Sequence, residues 1–174
     1  YDRNVDKLIS FFKLSCFDIV VHLASYSTKN HSPSEISLFI ESNIELPFQI
    51  LEAMVYSESK MFINTSTYWI NYHSEGYNPN NIYAASKKAF EDISRYYINV
   101  HSIYLINLIL YETYGPDDHR NKIINILKEA YLNDKKVNVT KAEQQLDFVY
   151  IDDVTNAYIK AIELLFDNKI DSGS

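Results

Sequence analysis

Glycine is scarce: the 174-residue sequence holds 3. A Gly-rich phosphate loop needs several closely spaced glycines, because the backbone must approach the phosphates and turn through left-handed conformations. No Gly-x-Gly occurs, so such a loop is excluded from this sequence. The single cysteine, Cys16, rules out an internal disulfide and suits a reducing cytoplasm; Cys16 itself reads as a buried apolar residue and not a nucleophile. No apolar run approaches the ~20 residues that span a bilayer, and no basic-then-apolar segment opens the chain. The net charge of -7 argues against a duplex-binding surface, which is normally basic. His22, His31, His73, His101 and His119 are scattered without metal-ligand spacing. The expectation is a soluble cytoplasmic domain with no metal, no nucleic-acid partner and no membrane partner.

The 47% hydrophobic content is that of a globular protein, and the length suffices for one core or a compact pair of layers. Short β-rich runs lie at 17–24, 61–66 and 102–111. Each is apolar on both faces for several residues, as a strand covered on both sides must be. Residues 137–140 and Phe148–Tyr150 give a fourth and a fifth strand. Helical spacing links Val5, Leu8, Ile9 and Phe12, and continues through 34–55 with a bend at Pro47, then through 83–100, 120–132 and 152–166. Asp152 or Asp153 is the expected N-cap of the last helix. Strands alternating with helices imply right-handed crossovers and a parallel sheet, hence an α/β fold.

Ligands of an open parallel sheet bind outside the carboxyl ends of its strands. That rule selects His22-Leu-Ala-Ser25, Thr65-Ser-Thr67 and Glu112-Thr-Tyr-Gly-Pro116. A sharper feature is Tyr83-Ala-Ala-Ser-Lys87, which sets a phenol and an ammonium one turn apart on one helix face. The ammonium favours the phenolate and lowers its pKa, so the tyrosine can exchange a proton with a carbonyl or an alcohol. The same spacing recurs at Tyr56/Lys60 and Tyr131/Lys135, but at helix ends among charged neighbours. Tyr83 instead follows Asn78-Pro-Asn-Asn81, one loop after the strand that delivers Thr65, Ser66 and Thr67. Taken alone, His22 reads as a structural strand-end group, Lys135-Lys136 as a solvated turn, and Trp69 as a packing or stacking surface.

These motifs, in this order, resemble the extended short-chain dehydrogenases/reductases that act on nucleotide sugars, the NAD-dependent epimerase/dehydratase family. The segment Phe17-Asp-Ile-Val-Val-His-Leu-Ala24 is similar to the family's fourth strand, which implies cofactor contacts for His22, Leu23 and Ala24. Glu41-Ser-Asn43 resembles the helix motif whose Asn supports the active-site loop. Phe62-Ile-Asn-Thr-Ser-Thr67 resembles the fifth strand, implying that Thr65 and Ser66 lie by the cofactor and that Thr67 is the catalytic hydroxyl. Tyr83 and Lys87 match the catalytic pair, which also holds the cofactor. Tyr111-Glu-Thr-Tyr-Gly-Pro116 resembles the segment beside the nicotinamide, and Asp147-Phe-Val-Tyr-Ile-Asp-Asp-Val154 a late substrate-domain motif. The resemblance implies a Rossmann-like parallel sheet with NADPH or NADH as cofactor. It assigns substrate contacts to Thr67, Tyr68 and Glu112, and a homodimer to the two long helices.

Departures from the family pattern narrow the expectation. Tyr68-Trp69 follows Thr67 where dehydratases carry Asp-Glu, Glu112 replaces a common Asn, and Leu146 replaces an Arg that binds substrate phosphate. The combination is most similar to the CDP-abequose and CDP-paratose synthase branch. That likeness implies reduction of a 4-keto-6-deoxy CDP-sugar for O-antigen synthesis. A 4-epimerase of the same family and an inactive dimerising or binding module are the alternatives. The expected division is 1–135, the later part of a dinucleotide-binding domain, and 136–174, the start of a substrate-binding region. The family's Gly-rich first βαβαβ half and most of its C-terminal domain have no counterpart here. The chain is therefore expected to be an inactive fragment with an open strand edge at Val20-Val21.

Overall fold

The computed structural model describes residues 2–28, 30–120, 122–141, 143 and 145–167. Helix α1 (Val5–Ser15) starts where the Asn4 side chain accepts the Lys7 N–H at 3.0 Å. It ends at Cys16, whose left-handed backbone (φ 50°) returns its N–H to the Phe12 carbonyl. This C-cap position turns Cys16 outward, so the cysteine is exposed and not buried as its residue type suggested.

Strands β1 (Ile19–His22), β2 (Met61–Thr67) and β3 (Tyr104–Leu110) form a parallel sheet in the order β1-β2-β3. The register sets His22 opposite Asn64, and Thr67 opposite Leu110. Alternation along β2 then divides the core. Phe62 faces a cluster with Phe12, Leu51, Met54, Phe90, Tyr97 and Leu105, while Ile63 faces Ala161 and Leu165 on the other side. Helices lie on both faces of the sheet and cover β2 almost throughout, but Val21 of β1 and Ile109 of β3 stay exposed, so the two-sided cover expected of all three runs is met only on the central strand. Among the described residues β1 pairs only with β2, leaving its outer edge open.

Between β1 and β2 the helical stretch is more broken than its periodicity predicts. A 3-10 turn (Pro33–Glu35) leads into α2 (Ile36–Ile40), a π-turn (Glu41–Glu45) and α3 (Leu46–Ser57). The expected bend at Pro47 appears as this wide turn immediately before the proline. Leu46 N–H reaches five residues back to the Glu41 carbonyl, and Pro47 has no N–H with which to continue the ladder.

Helix α4 (Ile82–His101) is capped by Asn81, whose side chain accepts the Ala84 N–H at 2.9 Å. After β3 the chain forms a second parallel pair, β4 (Glu112–Tyr114) with β5 (Phe148–Tyr150), separated by α5 (Ile123–Leu132). Helix α6 (Ile151–Phe166) packs back on β2 and β3. The pairing of β4 with β5 spans the expected division at 135/136; residues 168–174 of the second part lie outside the described residues. Two expectations fail here. Residues 137–140 form no strand, because Val137 and Val139 are exposed and find no partner strand among the described residues. The N-cap of α6 is Tyr150, with Asp152 and Asp153 inside the first turn, where their charges still favour the helix dipole.

Candidate active site

Thr67 closes β2 and Tyr83 lies in the first turn of α4, with Lys87 one turn further on. The intervening excursion is tied down by its backbone. Asn78 N–H donates to the Ile70 carbonyl at 2.9 Å, Asn80 N–H to the Trp69 carbonyl at 3.0 Å, and Tyr72 N–H to the Asn78 carbonyl at 3.1 Å. These bonds fix the approach to Asn81 and therefore the start of α4. Thr67 Oγ1 accepts the Trp69 N–H at 3.3 Å, which leaves the threonine O–H free to donate elsewhere. The Trp69 ring lies edge-on to Tyr83, with centroids 6.5 Å apart.

The π-turn delivers Asn43 into the space between the β1 loop and α4. Fully buried, it accepts the Tyr26 N–H at 2.8 Å and donates to the Tyr26 carbonyl and to Ser86 Oγ, both at 2.9 Å. Ser86 in turn donates to the Tyr83 carbonyl at 2.7 Å. Asn43 thereby joins the strand-end loop to the turn that carries Tyr83.

The electrostatics differ from the sequence expectation. Burial pushes the Tyr83 phenol above its ordinary pKa, with Ser25 opposing and Tyr158 adding slightly. Lys87 is not among the groups acting on that phenol. Burial lowers Lys87 itself to about 8, against the pull of Glu91. Desolvation penalises both charged forms, so the predicted acidification of Tyr83 by Lys87 is absent from the protein alone. Lys87 is 1% exposed, and its ammonium has no hydrogen-bond or ion-pair partner among the described residues.

Other residues singled out by sequence divide into two sets. His22, Asn43, Thr65 and Ser66 face inward. The His22 ring stacks 6.0 Å from Phe62; Thr65 Oγ1 meets the His22 carbonyl at 2.8 Å and Tyr158 Oη at 2.6 Å; Ser66 Oγ donates to Glu91. Leu23, Ala24 and Tyr111 are exposed at the strand ends. Tyr68 stacks on Tyr111, with centroids 5.0 Å apart and planes within 8°. Its hydroxyl donates to Glu112 at 3.1 Å, and burial with that carboxylate holds its pKa up at about 12. Glu112 is also paired with Lys122 at 3.2 Å. Clefts of about 410 and 380 Å³ flank Tyr68 and share Tyr72 and Leu146; neither is lined by Tyr83 or Lys87. Sequence reasoning missed Tyr26, Ser86, Lys122 and Tyr158. Ser86 lies inside the Tyr83–Lys87 motif, but its partner is 43 residues away.

A parallel sheet covered on both faces, with a tyrosine and a buried lysine one turn apart beyond its strand ends, defines an α/β domain of the short-chain dehydrogenase/reductase type. The chain belongs to the NAD dependent epimerase/dehydratase family, whose model matches residues 3–170. It is 35% identical over 145 residues to CDP-abequose synthase of Salmonella muenchen, covering 83% of this chain and 48% of that protein. With CDP-abequose synthase of Salmonella typhimurium it shares 32% over 163 residues, covering 92% of this chain and 53% of that protein. The chain thus spans about half the length of these curated relatives. Among solved structures, UDP-glucuronic acid 4-epimerase from Bacillus cereus in complex with NAD superimposes with a TM-score of 0.78 at 25% identity, covering 92% of this chain and 52% of that one. UDP-glucose 4-epimerase from Brucella ovis gives 0.80 at 17% identity, over 95% and 59%, and shows the shared fold.

Proposed function

We propose that the protein to which these residues belong reduces a 4-keto-6-deoxy nucleotide sugar, a CDP-sugar, at the expense of NADPH or NADH, for cell-surface polysaccharide synthesis. The observation that carries this reading is the Thr67, Tyr83 and Lys87 constellation in a chain that is 35% identical to a CDP-abequose synthase.

The cofactor fits the residues present at its nicotinamide-ribose end. Lys87 is a buried residue whose ammonium has no hydrogen bond among the described residues, the state expected of a donor that awaits ribose hydroxyls. Leu23, Ala24 and Tyr111 are exposed at the strand ends, and His22, Asn43, Thr65 and Ser66 hold those ends in place from inside. The bound cofactor supplies the hydride. Burial keeps the Tyr83 phenol protonated at neutral pH, which suits a proton donor to the C4 carbonyl oxygen. The free Thr67 O–H donates to the same oxygen, so two donors await the charge that develops there. Any help from Lys87 to the tyrosinate left behind passes through the ribose hydroxyls it holds, since its charge does not act on the phenol in the protein alone. Tyr68 and Glu112 bound the sugar side. Tyr68-Trp69 supplies no carboxyl pair for water elimination.

In this reading a second copy packs against the two long helical stretches. Phe48, Tyr96 and Val100 are exposed there, and Phe48 and Tyr96 flank the buried Tyr97 ring at 5.9 and 5.1 Å. The deciding experiment incubates the full-length protein with CDP-4-keto-6-deoxyglucose and NADPH. Stoichiometric NADPH oxidation supports the reading. Interconversion of sugars without net oxidation replaces it with an epimerase, and dimerisation without turnover leaves a binding module.

A further inference from the structure

One buried ring close to the proposed chemistry has its polar atoms unused. His22 is 3% exposed, and both of its ring nitrogens lack a hydrogen-bond partner among the described residues. The Asn64 Oδ1 directly across the β1–β2 pair is also buried and unpaired, while Asn64 Nδ2 donates to Asn107 Oδ1 at 2.8 Å on β3. Lys87 is 1% exposed, and its charge acts on the His22 ring. The ring lies between Phe62 and Phe90, at 6.0 and 6.3 Å, and Phe90 is one helical turn beyond Lys87 on α4.

A buried imidazole and a buried asparagine oxygen without partners are costly apart, and with the Lys87 ammonium their capacities match in sequence. The ammonium needs an acceptor. A neutral imidazole has one acceptor nitrogen and one N–H, and the asparagine oxygen accepts that N–H. From α4, Glu91 also acts on Lys87, and it is engaged by the Ser66 hydroxyl. From the strands, Asn64 and Asn107 add no charge.

We propose that His22 is a positioning residue for Lys87: one ring nitrogen accepts from the Lys87 ammonium, and the other donates its N–H to Asn64 Oδ1. The Asn64–Asn107 bond holds that amide, so a polar ladder runs from β3 to Lys87 and selects a single neutral tautomer of the imidazole. The role rests on the reading of Lys87 as the cation that serves Tyr83, and it makes His22 a determinant of where the lysine points. It differs from a cofactor contact, because the ring lies beneath the strand ends.

Two measurements test this separately. In the unaltered 174-residue chain, ¹⁵N spectra of the histidine rings should show His22 as one neutral tautomer from pH 5 to 8 (roughly the range below Lys87 titration). Asn64→Leu should release both tautomers. Protonation of His22 near pH 6.5, or tautomer exchange that is indifferent to Asn64→Leu, overturns the ladder. In the full-length enzyme, His22→Leu should lower kcat roughly tenfold to a hundredfold with little change in the sugar KM. It should also bring the alkaline fall of kcat down by about one pH unit, because the ammonium loses its acceptor. His22→Gln or His22→Asn, whose amides restore an acceptor at one ring-nitrogen position, should recover most of the loss. An alkaline limb that superimposes on the parent's overturns the role. Should the parent reduce no nucleotide sugar while His22 keeps its single tautomer, the reductase reading falls and the ladder stands.

Discussion

The side-chain amide of Asn43 hydrogen-bonds both backbone polar groups of Tyr26, 17 residues away, and so forms with that peptide the equivalent of a strand pairing inside the core. Its third bond, to Ser86, carries the connection to Tyr83. Asn43→Ala leaves a buried N–H and carbonyl without partners and should cost about 2–3 kcal/mol in urea unfolding. Amide exchange at Tyr26 should accelerate far more than exchange in β2. Equal acceleration at both sites would mean that Asn43 serves global stability and does not hold this loop.

Tyr83→Phe removes one oxygen from a half-buried ring and leaves the Trp69 edge contact possible. In the full-length protein turnover should fall by about 10²–10⁴-fold, while NADPH affinity stays within a few-fold. Retained turnover would end the assignment of Tyr83 as proton donor.

Acid stability should depend on His22. Burial first, and the Lys87 charge second, hold its folded pKa at about 4, below the ordinary 6.5. Above pH 6.5 the ring is neutral in both states. Between 6.5 and 4 the unfolded chain binds a proton that the folded chain refuses, so stability falls as pH falls, by about 3 kcal/mol across that window. The Glu35 and Asp118 carboxyls, held near 2 by hydrogen bonds from Tyr26 and Arg120 respectively, lose their contribution only at lower pH. Unfolding free energies at pH 7 and pH 4.5 should therefore converge in His22→Gln. A variant with the parent's full acid loss would place the effect elsewhere.

The open edge of β1 predicts behaviour in solution. Val21 is 36% exposed beside strand backbone that is unpaired among the described residues, a template for pairing with other chains. Val21→Lys should reduce light scattering of the 174-residue chain at high concentration and leave thermal unfolding nearly unchanged. Phe48→Glu should instead dissociate the proposed dimer in sedimentation, since Phe48 belongs to the helix surface and not to the sheet edge.

Periodicity exposed the strands and helices because burial on fixed faces leaves a pattern along the chain. Phe62 and Ile63 diverge to opposite cores as alternation requires. Alternation failed at 137–140, where a strand needs a neighbour as well as a pattern. The 3-residue strand β4 escaped notice because its pairing with β5 comes from 36 residues downstream. At the site, Tyr83 and Lys87 were legible as a spacing, but their protonation was not. Spacing reports proximity, whereas pKa follows burial, and the burial of Lys87 is created by the packing of α4 on the sheet. The Asn43–Ser86 bond joins two separate helical segments, and nothing local announces it.

Helix α6 is fastened to the strand ends by a bond that spans 93 residues of sequence, Thr65 to Tyr158 at 2.6 Å. The Thr65 hydroxyl has one hydrogen, and it goes to the His22 carbonyl at 2.8 Å. Tyr158 must therefore donate to Thr65 Oγ1, which makes the order Tyr158, Thr65, His22 a directed chain. Tyr158→Phe removes the terminal donor and leaves the Thr65–His22 bond intact, so it should cost about 1 kcal/mol. Thr65→Val breaks both bonds and strands the His22 carbonyl, and should cost more. Because the two side chains share one bond, the double variant should fall short of the sum by about 1 kcal/mol in a urea-unfolding cycle. Additive losses would show that α6 is held by its apolar face alone, through Ala161 and Leu165.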